Sequence, residues 1–327
     1  MRIAFANLSR QAAPPPPGEL QLRPADPGDL DRTDLTALAL EKGLGGFVRG
    51  DGPVLRIVAP LDPTLDDMAA VLVLQEELGG KARPPAAAFA RYVASLRKGI
   101  RPTDKVPLEE SAEALFLHFR HRAGDPLSDE VRAARFLADW NRLAVGIREA
   151  LARGADPHRE ALFGEESPFE EERHFLRKDR PRYERYRDAG ERFLVRLPGE
   201  KGWVPALFLR RPLESSLFKF WARNDASAPG GAGFRFLAVW WGKGSPTECV
   251  FSTDPVDCRP IDSLATALQD AELRRNPQHP ADDPWGVRFD NSMVVSPKKG
   301  TALSEAEVVT VLRQWGEVRS RRLRRDS

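Results

Sequence analysis

Cysteine is nearly missing from this chain: Cys249 and Cys258 are the only two in 327 residues. Two thiols cannot build a disulfide framework, and no Cys-x-x-Cys pair is present to hold zinc. No apolar run approaches the roughly 18 residues that a membrane span needs. The opening Met1-Arg2-Ile3-Ala4-Phe5-Ala6 is too short an apolar run for a secretory signal. The expectation is a cytoplasmic protein with no membrane partner. Short catalytic signatures are also missing. There is no Walker loop, no Gly-x-Gly-x-x-Gly behind a strand and no Gly-x-Ser-x-Gly elbow.

Neither sign of charge dominates. Lys plus Arg is 50 and Asp plus Glu is 48, leaving a net charge of +2. That argues against a basic coat for binding DNA over the whole surface. The hydrophobic share is 41% and there are seven Trp, which argues against global disorder.

What is present suggests two domains behind a short leader. Residues 1–30 hold Pro14 to Pro17, Pro24 and Pro27, and read as an extended, proline-rich surface segment. Residues 31–190 read as a helix-rich α/β domain. A helix at 35–42 runs into Gly43-Leu-Gly-Gly-Phe-Val-Arg-Gly50, a helix stop and turn. A buried strand at 54–60 and a helix from Thr64 to Leu78 follow. Val131, Ala134, Leu137, Trp140, Ala144, Ile147 and Leu151 recur at threes and fours, a helical stripe. Residues 165–192 hold nine acids and eight bases, the pattern of a solvated helix laced with ion pairs.

Beyond residue 190 the texture changes, and six of the seven Trp lie there after residue 200. Short aromatic or β-branched runs at 193–197, 204–209, 216–221, 234–240 and 249–252 alternate with turn residues, which predicts strands. A helix at 261–274, a strand at 292–296 and a helix from Ser304, with Glu307 completing a capping box, close the chain. Residues 191–327 are thus expected to be an α+β domain. The whole is an α/β plus α+β chain whose C-terminal sheet is mostly antiparallel and flanked by helices.

One segment is informative beyond its secondary structure. Arg56-Ile-Val-Ala-Pro-Leu-Asp-Pro-Thr-Leu-Asp-Asp-Met-Ala-Ala-Val-Leu-Val-Leu74 resembles the first motif of the DHH phosphoesterases. In that family a buried strand ends in His-x-x-Pro-Asp-x-Asp and runs into a helix of small residues. Its carboxylates and histidines hold two divalent metals, usually manganese, that activate water against a phosphodiester. Pro63, Asp66, Ala69 and Ala70 match the motif. Pro60 stands in place of the histidine and Thr64 in place of the first aspartate, so the ligand set is depleted. No Asp-His-His tripeptide follows; His118 and His121, three apart, are the nearest substitutes. Asp66 and Asp67 beside Thr64 also satisfy a simple helix cap. The associated C-terminal domain of that family is echoed in order over residues 248–318. Of its Gly-Gly-Gly-His signature only His279 remains.

The resemblance implies a phosphoesterase-like frame whose metal site has decayed. The function expected is a non-catalytic, protein-binding or regulatory component of a bacterial multi-protein system, such as a defence or signalling system, needing no cofactor. The alternative is a divergent manganese-dependent phosphoesterase acting on short oligonucleotides or nucleotides. It would use Asp66, Asp62 and His279 for catalysis and Asp66, His118 and His121 for metal. The partner surface expected is the arginine-rich end, Arg319, Arg321, Arg322, Arg324 and Arg325, carried on a solvated helix end. Nucleic-acid binding through those arginines is a third reading. Ser296-Pro-Lys-Lys-Gly300 has turn chemistry and offers Lys298 and Lys299 to an anion.

Overall fold

The chain divides into two units, Met1–Arg177 and Lys178–Ser327. The computed structural model describes residues 2–5, 15–30, 34–60, 64–79, 89–93, 107–123, 129–154, 168–210, 217–245, 247–253, 260–288 and 291–319.

In the first unit, β1 (Arg2–Phe5), β2 (Glu19–Pro24), β3 (Phe47–Arg49) and β4 (Arg56–Ala59) form a sheet ordered β1-β4-β2-β3. β4 runs parallel to both its neighbours. Its Ile57, Val58 and Ala59 are all buried, the continuous apolar run expected of an interior parallel strand. The proline-rich leader is therefore more than a surface crossing. Residues 19–24 are a central strand, and Gly50 approaches the Pro16 carbonyl so closely that a Cβ would sit 2.2 Å from its oxygen. Helices α1 (Leu35–Lys42) and α2 (Leu65–Leu78) pack on each other. Then come α3 (Ala112–Ala123) and α4 (Asp129–Ala152). The buried stripe of α4 is Phe136, Trp140, Leu143, Ala144, Ile147 and Ala150, while Val131 is exposed. The expected stripe thus holds at Trp140, Ala144 and Ile147 and is replaced by Phe136 before them, while the side chain of Leu151 lies outside what is described.

Helix α5 (Glu170–Ala189) carries the mixed charges and spans the division between the units. It is not simply solvated. Glu172, Arg173, Asp179 and Tyr183 are buried. Burial of such groups is tolerated because each finds a partner: Arg173 lies 2.9 Å from Glu110, and Glu172 pairs with Arg142.

The second unit is built on seven strands: β5 (Glu191–Arg196), β6 (Val204–Arg210), β7 (Phe236–Trp240), β8 (Cys249–Thr253), β9 (Gly286–Arg288), β10 (Met293–Val295) and β11 (Glu317–Arg319). Their order is β11-β5-β6-β7-β8-β10-β9. Every pairing is antiparallel except β6 with β7. A parallel pair needs a crossover, and this one contains helix α6 (Phe218–Arg223). That corrects the strand expected at 216–221. Leu217, Phe220 and Trp221 are buried at helical, not alternating, spacing. Helices α7 (Asp262–Arg275) and α8 (Glu305–Trp315) pack Leu264, Leu268, Val308 and Leu312 into one core with Phe208, Phe236 and Phe251. The mixed α/β fold with a mostly antiparallel second sheet is as expected.

Candidate functional site

The sequence pointed first to the turn between β4 and α2. There Thr64 caps α2: its Oγ1 accepts from the Asp67 amide at 3.2 Å, and the Asp67 carboxylate accepts from the Thr64 amide at 2.6 Å. Asp66 is buried and faces the other way. Its carboxylate accepts the Thr36 amide at 3.2 Å, and its carbonyl accepts the Thr36 hydroxyl at 2.9 Å. Thr36 lies in the first turn of α1, where the flanking Asp34 makes no side-chain cap. Asp66 therefore supplies α1 with a cap from 30 residues downstream.

The histidines are not brought together. His118 is buried with its ring 4.4 Å from that of Phe175, while His121, three residues on, is exposed. One belongs to the packed side of α3 with Leu115 and Phe119, and the other faces water. Among the described residues, no group of three His, Cys, Asp or Glu side chains is placed to hold a metal ion. Asp62, Arg321, Arg322, Arg324 and Arg325 lie outside the described residues. Arg319 does not sit on a helix end. The last described helix stops at Trp315, and Arg319 closes edge strand β11, paired to β5 and stacked 4.3 Å from the centre of the Trp203 ring.

His279 leads to a different constellation in the second unit, at one end of β8, β9 and β10. Its Nε2 lies 2.8 Å from the Asp283 carbonyl. A carbonyl only accepts, so Nε2 donates to it, and Nδ1 lies 3.7 Å from Glu272. Glu272 is fully buried. It accepts the Ala302 amide at 2.6 Å, the Trp285 indole N–H at 3.3 Å and the Thr301 hydroxyl. Asp283 accepts the Lys298 and Lys299 amides at 2.8 and 2.7 Å, one on each carboxylate oxygen. Glu248 accepts the Thr301 amide at 3.0 Å and the Gly244 amide at 2.9 Å. Lys243 reaches both Glu248 and the Thr301 carbonyl.

Three carboxylates thus hold the amides of residues 298, 299, 301 and 302. Gly300 is needed between them because its φ is +92° and a Cβ would meet the Glu248 carboxylate at 3.1 Å. Desolvation opposes ionisation of Asp283. The Lys299 and Lys298 amides outweigh it, so its carboxyl is held below the ordinary aspartate value. Chemically the cluster is a scaffold. Its acids are engaged by donors that position a turn, and that turn projects the exposed side chains of Lys298 and Lys299.

The sequence reading found the lysines and His279 but not Glu248, Glu272 or Thr301. No local signal marks Glu248 or Thr301, whose partners lie up to 53 positions away. Glu272 alone leaves a trace, since it falls four residues after Leu268 and eight after Leu264, on the buried stripe of α7.

No protein-family model matches the sequence, and no curated protein is significantly similar to it.

Proposed function

We propose that this chain is a non-catalytic, protein-binding component of a bacterial multi-protein regulatory system, built on a phosphoesterase-like frame whose metal chemistry has decayed. The observation that carries the reading is Asp66. It is the one acidic ligand position of the DHH-like motif that the sequence retains within the described residues, and its carboxylate caps α1. Pro60 and Thr64 stand where two further ligands would be, and His118 is stacked inside the first unit. This donor set does not fit a two-manganese centre, which needs several anionic or imidazole ligands aimed at one point.

The binding surface in this reading is the Lys298–Lys299 turn. Its backbone is already ordered by Asp283 and Glu248, so a partner would not have to bear the cost of ordering it. Two adjacent ammonium groups on an ordered turn suit an acidic protein surface. The expected arginine surface contributes Arg319, which is exposed on β11.

The test combines chemistry and binding on the full chain. Manganese affinity is measured together with hydrolysis of bis(p-nitrophenyl) phosphate and of a dinucleotide. Asp66→Ala is expected to lower the melting temperature while both assays stay at background. Manganese-dependent hydrolysis that disappears in a folded Asp66→Ala variant overturns the reading in favour of the phosphoesterase. For the surface, Lys298→Glu with Lys299→Glu is expected to abolish recovery of an acidic partner from the native source without lowering the melting temperature. Undiminished recovery removes the turn from the interface.

A further inference from the structure

The sheet of the second unit turns one face to its core. Val195 of β5, Val204 and Ala206 of β6 and Val318 of β11 pack on that side. Side chains alternate along a strand, so Leu194 and Arg196, Trp203 and Pro205, and Glu317 and Arg319 belong to the opposite face. Register sets them side by side. Arg196 lies across from Glu317, and Leu194 lies between Arg319 and Pro205. None of these six side chains is buried. They stand at the β11 edge of the sheet.

Two guanidiniums converge on the Trp203 ring, that of Arg196 at 5.2 Å from its centre and that of Arg319 at 4.3 Å. They are not equivalent. Arg196 is also paired with Glu317, the acid of this face on β11. Arg319 is exposed, and no carboxylate among the described residues pairs with it. A guanidinium stacked on an indole is planar, held in place and still fully charged. Its outer side offers a plane to another ring system, and its N–H groups offer donors to an anion. Lys201, exposed and just before the same indole, adds a second cation. Along the sequence, Arg319 is followed by Arg321, Arg322, Arg324 and Arg325 against Asp326 alone.

A ligand that answers both properties carries flat rings and repeated negative charge on one chain, which is the chemistry of a nucleic acid. In a duplex the ring faces are stacked on one another and closed to such a platform, so the fit is to a single strand. We propose that the Trp203–Arg319 face of β11, β5 and β6 binds single-stranded nucleic acid. One base stacks on the Arg319 guanidinium over Trp203, and Arg319 N–H groups and Lys201 meet the flanking phosphates. Every base has a π-face, so the site has little sequence preference. It lies at the opposite edge of the sheet from β9 and β10, which lead to the Lys298–Lys299 turn, so each proposal can fail without the other.

The probe is a fluorescein-labelled oligodeoxythymidylate of about twelve nucleotides, titrated with the full chain at about 50 mM salt and followed by anisotropy. Binding is expected, and it should weaken steeply as salt rises. Trp203→Leu and Arg319→Ala should each weaken it by about tenfold or more. Arg319→Lys keeps the charge and loses the plane, so it should preserve the salt dependence and still weaken binding about fivefold. Thermal melts identify the variants that remain folded; Arg319 is exposed, so its substitutions keep the test open if Trp203→Leu does not fold. A strand that does not bind, or one whose affinity is unchanged in folded Trp203→Leu and Arg319→Lys variants, overturns the proposal. Polyglutamate that binds as tightly as the strand, with the same dependence on Trp203, overturns it in favour of an acidic protein partner.

Discussion

Lys219 is half-buried on α6, and replacing it by methionine keeps an unbranched side chain of similar volume and removes that charge. At 1.36 kcal/mol per decade of proton affinity, the fall from 10.5 to about 8 corresponds to about 3 kcal/mol of destabilisation in the native state. Lys219 retains some contact with water, so that figure is an upper bound, and a gain of about 1–3 kcal/mol is expected. The sign follows from linkage. The folded value lies below the unfolded one, so the penalty is complete below pH 8, where both states are charged. It fades between pH 8 and 10.5 as the native lysine loses its proton first, and it is gone above that. Urea unfolding of both proteins at pH 7 and near pH 10.5 measures it. Tryptophan fluorescence is the suitable signal, since six of the seven Trp lie beyond residue 200, in the unit that contains Lys219. The variant should be more stable at pH 7 and equal to the parent at the higher pH. A variant no more stable at pH 7, or one with the same gain at both pH values, refutes the charge argument.

Glu272→Gln turns a full acceptor into a group with one donating end, facing three donors on the 285 and 301–302 segments. It should cost about 2–4 kcal/mol by chemical denaturation. Cys249 is buried on β8, and burial followed by the charges of Glu305 and Glu248 pushes its thiol well above the ordinary range. It should resist iodoacetamide until the second unit unfolds, and labelling in the folded state would contradict that packing. Asp283 is held ionised to unusually low pH, so its hold on the 298–299 amides should persist at pH 4 and fail only as pH falls further. Hydrogen exchange at those two amides reads it, and Asp283→Asn should speed exchange at neutral pH.

The elements that carry their own signal were legible in the sequence. Thr64 with Asp67 and Ser304 with Glu307 mark helix starts within four residues, and both capping boxes form. The apolar run 57–59 betrays an interior strand by composition. What depends on distant partners was not legible. The run 216–221 has strand composition but lies in the crossover that joins the parallel pair β6 and β7, and there it coils. The tail at 317–319 looked like the end of a helix because no local feature announces that β5 has an edge to fill. In the site, Lys298 and Lys299 were visible as a turn. The acids that hold them were hidden because Glu248 and Asp283 lie 53 and up to 16 positions from the amides they accept, with no motif linking them. Asp66 is the instructive case, since the same residue fits a catalytic motif and a structural cap, and only its partner distinguishes the two.

The cap that Asp66 lends to α1 also orders events in time. A chain emerging residue by residue presents Leu35–Lys42 well before Asp66, so α1 first appears with the Thr36 amide lacking its native acceptor. An eight-residue helix is marginal alone in water. β1 likewise waits for β4, which arrives more than fifty residues later, to reach its register partner. In the first unit, the cap on α1 and the pairing of β1 thus both close only after residues 56–66 have been made.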